Sequence, residues 1–179
     1  ALTAKEIANE WIRQTLTNEE NTVRTIEDMM MQSHGTAVKY MTPIGLTHIM
    51  YDGHHYGPMP WGNNFSRKDW NPVYYHRADS FGIGFSRTAS GTNALGQYPT
   101  PVQKKWGDST NCPDNYLLWF HHVSWQHQML SGRSLWDELC FQYYSGTEEV
   151  KMFQDQWASV RTHVDAEQHR HIEQLLNIQ

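Results

Sequence analysis

Apolar residues recur at helical intervals at both ends of the chain and lose that period in the middle. Near the start, Ala4, Ile7, Ala8, Trp11 and Ile12 share one face, and Thr3 with Glu6 has the spacing of a capping box, so the pattern predicts a helix over about 3 to 16. Asn18, a favoured cap residue, is followed by Glu19 and Glu20, whose charge suits a helix N-terminus. A second helix is expected there, with Val23, Ile26, Met29 and Met30 inward and its end near His34 and Gly35. A short third helix is expected from Thr36 to Tyr40, before Pro43. Beyond Pro113 a short helix runs through Tyr116 to Phe120. Ser134 then caps a helix carrying Leu135, Trp136, Leu139, Cys140 and Tyr143 that stops at Gly146. Thr147 caps the next, with Val150, Phe153, Trp157 and Val160 inward, and Asp165 with Gln168 opens a last helix containing Ile172, Leu175 and Leu176. Three helices on such short links should pack as antiparallel or obliquely crossed neighbours. The Met and aromatic stripes read as core.

Between Tyr51 and Cys112 stand eight of the twelve glycines, five of the seven prolines and eleven aromatic residues. Loops longer than about 15 residues are uncommon in compact domains unless they bind something or are disordered, and disordered segments are poor in rings. An ordered, ring-rich loop on a helical scaffold is where a ligand contact is expected. The chain therefore reads as one mainly α domain over 1–179. It is an irregular helical domain with a helical group over 1–50, a long aromatic, Gly/Pro-rich loop region over 51–112, and a helical group over 113–179.

Composition narrows the partners. The formal net charge is -5, with no run of Lys or Arg to track a phosphate backbone, which argues against nucleic acid. No apolar stretch is long enough to span a bilayer, and the first residues read as an amphipathic helix rather than an export signal. Cys112 and Cys140 lack zinc-ligand spacing and read as unpaired thiols.

Three groups of residues are candidates for chemistry. Eleven histidines include the pairs His54-His55 and His121-His122, with His127 nearby, but adjacent side chains diverge, so each pair brings at most one or two ligands to a metal. No metal site is expected from them; ordered loops also use His to satisfy buried backbone groups. His163, His169 and His171 read as surface helix residues. In His54-His55-Tyr56-Gly57-Pro58-Met59-Pro60-Trp61, two prolines and a glycine fix the backbone, so Trp61 can stand as a rigid plate beside hydrogen-bonding His54, His55 and Tyr56. Pyranose sugars suit such a surface, since their C–H faces pack on rings while hydroxyls meet polar partners; the alternative is that Trp61 plugs the loop onto the helices. In Val73 to Asp79, His76 and Arg77 can present donors to a sugar or a carboxylate, or Arg77 can pair with Asp79. Asp52, Asp69, Asp79, Asp108 and Asp114 are scattered and form no recognisable catalytic pair, so no catalytic residue is assigned.

The blocks Tyr40 to Leu46 with His48, His54 to Trp61, Val73 to Asp79, Leu117 to Val123, Ser131-Gly132-Arg133 and Leu135 to Leu139 resemble the C-terminal region of glycoside hydrolase family 67. The likeness runs over nearly the whole chain. It implies an inverting α-glucuronidase that removes 4-O-methylglucuronic acid from xylooligosaccharides without metal or cofactor. It also implies a central (β/α)8 barrel that carries the acid and base, on which a mainly helical C-terminal domain packs while supporting a homodimer. Glucuronoxylan oligosaccharides, the barrel of the same parent chain and a second copy are then the expected partners. The segment reads as a domain excised from that parent, inactive alone. The resemblance carries over one residue, Trp61, as the ring lent to the xylose side of the site. The other readings are an autonomous carbohydrate-binding module using Trp61, Trp70 and Tyr74, and a purely structural dimerisation domain.

Overall fold

The computed structural model describes residues 1–47 and 57–178. In chain order the helices are α1 (Ala4–Thr15), α2 (Glu20–Met41), α3 (Pro72–Tyr75), α4 (Thr100–Trp106), α5 (Asp114–Phe120), α6 (Leu135–Ser159) and α7 (Ala166–Ile178), and the strands are β1 (Gly82–Gly84) and β2 (His122–Ser124). The protein is mainly helical, as the periodicity predicts. Its contacts gather into two compact units, Ala1–Tyr40 with Tyr144–Gln179, and Met41–Tyr143. No described helix is long and apolar enough to cross a membrane.

In the first unit α1 starts at the expected capping box: Thr3 N–H donates to the Glu6 carboxylate at 2.7 Å and Glu6 N–H to the Thr3 hydroxyl at 3.2 Å. Two expected helix ends are absent. α2 runs through Gly35 without a break, merging the second and third predicted helices, because tertiary bonds hold the turn beyond it. The Thr36 hydroxyl, buried, donates to Glu149 at 2.8 Å, and Lys39 pairs with the same carboxylate. α6 likewise continues through Gly146, so the helices expected on either side are one. A Cβ at Gly146 would stand 2.7 Å from the Tyr40 backbone nitrogen and 2.9 Å from Lys39 Cβ, so this glycine serves a close helix approach rather than a stop. Ile12, Val23, Ile26, Met29, Phe153, Trp157, Val160 and Val164 form the core. His169 is buried among them, contrary to the surface position its helix pattern suggests. Its Nε2 donates to the Trp157 carbonyl at 2.8 Å, the Trp157 indole donates to the His169 carbonyl at 2.9 Å, and the rings stack.

The second unit packs around Leu46, Ala78, Ile83, Cys112, Leu117, Leu118, Val123, Met129, Leu135 and Leu139. Its middle is not bare loop. Short helices alternate with turns, and β1 pairs antiparallel with β2 in the register Gly82↔Ser124, Ile83↔Val123, Gly84↔His122. Only glycine fits at Gly82, where a Cβ would lie 1.7 Å from the Val123 carbonyl oxygen, and Gly84 sits at φ +111. A three-residue strand of which two residues are glycine has no alternation to read, which is why it escapes a period-based expectation.

Candidate functional site

Trp61 stands on a turn built from its neighbours. Gly57 takes φ +69 and donates its N–H to the Tyr143 hydroxyl at 3.0 Å, Pro60 is buried, and Gly62 N–H closes on the Met59 carbonyl at 3.0 Å. The indole is 61% exposed, yet it has a footing: the Trp136 ring lies 5.6 Å away at 41°, and Trp125 meets Trp136 edge-on at 6.2 Å. Trp125 is itself tied down, its Nε1 donating to the Asp79 carbonyl at 3.0 Å. Trp61 is thus both anchored and presented, so the two alternatives open at the level of sequence are not exclusive. Trp125 and Trp136 as its supports were beyond local reading, because they lie 64 and 75 residues downstream of it.

Of the other expected contact residues, His54, His55 and Tyr56 lie outside the described residues. His76 is buried at the end of α3; its Nε2 donates to the Thr47 carbonyl and its own carbonyl accepts from Gly84 N–H at 3.0 Å. Arg77 is exposed, at φ +57, with its guanidinium 5.1 Å from the centre of the Tyr74 ring. The alternative pairing of Arg77 with Asp79 is not the arrangement found. Asp79 accepts from Phe81 N–H at 2.8 Å and Gly82 N–H at 2.9 Å, with His122 Nε2 3.5 Å away. The Gly82 hydrogen bond first, then Phe81 and the His122 charge, outweigh burial and hold the Asp79 carboxyl below its ordinary range.

The remaining titratable groups have local duties. Asp108 caps a turn through Thr110 and Asn111, and Asp69 pairs with Arg67; each carboxyl is pushed downward, by the Thr110 backbone bond and by Arg67 respectively. A general acid needs the opposite shift. His121 and His122 both donate through Nε2 to backbone carbonyls, of Trp106 at 2.6 Å and Arg77 at 3.0 Å. Among the described residues no three His, Cys, Asp or Glu converge as metal ligands would. Cys112 and Cys140 are unpaired, and burial raises the Cys112 thiol to about 11, which makes it a poor nucleophile.

One charged side chain in this unit drew no attention in the sequence. Arg87, just past β1, lies with its guanidinium 3.6 Å from the centre of the Trp119 ring and 4.1 Å from that of Phe85, beside a cavity of about 470 Å³. Trp119 is 32 residues downstream, so no local motif announces the pairing.

Comparison with known proteins gives one answer throughout. Residues 1–179 match the family described as the glycosyl hydrolase family 67 C-terminus. Among curated relatives, the probable alpha-glucuronidase A of Aspergillus fumigatus is 35% identical over 178 residues, covering 96% of this chain and 20% of that protein. The corresponding protein of Aspergillus terreus is 36% identical over 171 residues, 92% of this chain and 19% of that protein. Alpha-glucuronidase A of Emericella nidulans is 33% identical over 172 residues, 93% of this chain and 20% of that protein. The chain thus spans about a fifth of the length of the relatives it matches.

Proposed function

Since this chain belongs to glycoside hydrolase family 67, as that family's C-terminal region, we propose that it is the non-catalytic, substrate-framing part of an inverting α-glucuronidase that removes (4-O-methyl)glucuronic acid from xylooligosaccharides. In this reading the acid and base belong to a barrel outside residues 1–179, and this domain lends that barrel a sugar-stacking ring and supports a homodimer. The observation that carries it is Trp61, an indole 61% exposed and backed by Trp136, which offers a fixed apolar face. Exposed Tyr144 and Met152 on α6 are the surface proposed for a second copy. The polypeptide that joins this chain to its barrel should accordingly sediment as a dimer at micromolar concentration; a monomer removes that part of the proposal.

The autonomous-module reading draws on the exposure of Trp70 and Tyr74. Their rings, however, already carry the guanidinium groups of Arg67 at 4.7 Å and Arg77 at 5.1 Å, which leaves less open face than Trp61 has. In the barrel-bearing polypeptide, Trp61→Ala should cost roughly 1.5 to 3 kcal/mol, the scale of one large apolar side chain, or about 10-fold to 150-fold in kcat/KM on aldouronic acids. A substrate with a small synthetic leaving group in place of xylose should lose much less. Equal losses on both substrates together with a lowered Tm would make Trp61 a packing residue and withdraw the framing role.

A further inference from the structure

The cavity beside Arg87 has the makings of a binding site of its own. Its volume, about 470 Å³, lies within the range of small-molecule pockets. The root of Arg87 is pinned, its N–H donating to the Phe120 carbonyl and its carbonyl accepting from Leu95 N–H, both at 2.9 Å. The guanidinium, packed against Trp119 and Phe85, has little freedom to leave. Its Nη1 is buried without a hydrogen-bond partner, and among the described residues no carboxylate pairs with the group. Burial acts to lower its pKa, the Tyr98 phenol opposing weakly. A half-buried cation with one nitrogen shielded from water and unbonded, and with no anion beside it, carries a desolvation cost that an anionic partner would offset.

The rest of the lining says what that partner is. Arg87 is the one Lys or Arg among the described lining residues, and the His76 Nε2 is committed to the Thr47 carbonyl, so these residues match a single negative charge rather than a dianion. A planar guanidinium fork fits a carboxylate, and because its charge is delocalised, a carboxylate meeting it from the cavity neutralises the group as a whole. Asn115 adds an exposed amide for a neighbouring hydroxyl or carbonyl, while Tyr75, 44% exposed, offers a ring to an apolar body. We infer that this cavity is a carboxylate-binding site with Arg87 as its anchor. The carboxylate is carried either by a small organic acid or by an Asp or Glu side chain of another polypeptide segment.

Titration of the 179-residue chain with sodium acetate, acetyl-aspartate amide and sodium galacturonate, with neutral galactose as the control, tests this. The three carboxylates should bind saturably and move the Arg87 Nε–H resonance in nuclear magnetic resonance spectra, whereas galactose should not. Arg87→Met, which keeps an apolar stem against the two rings, should weaken binding at least about tenfold, with Arg87→Lys intermediate because it keeps charge without the fork. Galacturonate tighter than the other two by about tenfold assigns the site to a free sugar acid, while equal affinities assign it to a polypeptide side chain. Saturable binding of none of the three, an unmoved Arg87 resonance, or Arg87→Met binding as tightly as the unaltered chain would overturn the inference.

Discussion

Glu19 shows how much one carboxylate can do at a helix start. It accepts from Asn21 N–H at 3.0 Å, Thr22 N–H at 2.8 Å and the Thr22 hydroxyl at 2.7 Å. These bonds, the Thr22 hydroxyl foremost, bring its pKa from 4.5 to about 2. A folded pKa below the unfolded one means that the unfolded chain takes up the proton first. The stabilisation is therefore whole above 4.5 and is lost as pH falls through about 2. Glu19→Gln keeps an acceptor but cannot titrate, so its Tm should fall less steeply than that of the unaltered chain between about pH 5 and pH 2. Equal slopes would place the acid sensitivity in other groups. The sequence pointed to Asn18 for this duty, because cap preference ranks Asn above Glu. Preference is silent on the reach of a longer side chain to the second and third residues ahead. Thr3 and Glu6 were legible because there the spacing is itself the interaction.

Two glycines inside helices make the matching point for elements. From sequence both Gly35 and Gly146 read as stops, since glycine after a periodic run is the strongest local end signal. In space they differ. Nothing stands within 4 Å of a Cβ at exposed Gly35, whereas a Cβ at buried Gly146 would meet the Tyr40 nitrogen at 2.7 Å. Gly35→Ala should therefore stabilise by roughly 0.5 to 1 kcal/mol, the helix-propensity difference, and Gly146→Ala should destabilise by roughly 1 to 3 kcal/mol through overpacking. Urea unfolding of the two variants checks the signs, and a shared sign would mean that local propensity alone governs both. Close approach is also what Gly82 supplies between β1 and β2. Helix faces were readable because their period lies in the chain, but the tolerance of a helix for glycine is set by residues far away in sequence, such as Thr36 with Glu149 across 113 positions. The same limit governs the candidate site: Trp61 and its Gly/Pro frame could be read locally, while Trp136 beneath it and Trp119 beside Arg87 could not.

For the whole molecule, the proposed division of labour sets a ceiling on what 179 residues can do alone. One indole, 61% exposed, can contribute about 1.5 to 3 kcal/mol by covering a sugar face. A dissociation constant of 1 mM requires about 4.1 kcal/mol after the loss of translational and rotational freedom has been met. The isolated chain should therefore bind linear xylooligosaccharides, which carry no carboxylate, more weakly than about 1 mM, and should release no glucuronic acid from branched ones, since its shifted loop carboxyls at Asp69, Asp79 and Asp108 are all lowered. Joined to a barrel that already holds the substrate, the same ring adds its few kcal/mol to an interaction whose entropic cost is largely met, and the effect becomes the 10-fold to 150-fold expected for Trp61→Ala. Calorimetric titration of the isolated chain with linear and branched xylooligosaccharides, paired with an assay for released uronic acid, measures both halves of this. Saturation by the linear oligosaccharides at or below about 1 mM would shift the domain to the class of autonomous carbohydrate-binding modules, and turnover would mean that a catalytic pair lies within these residues after all.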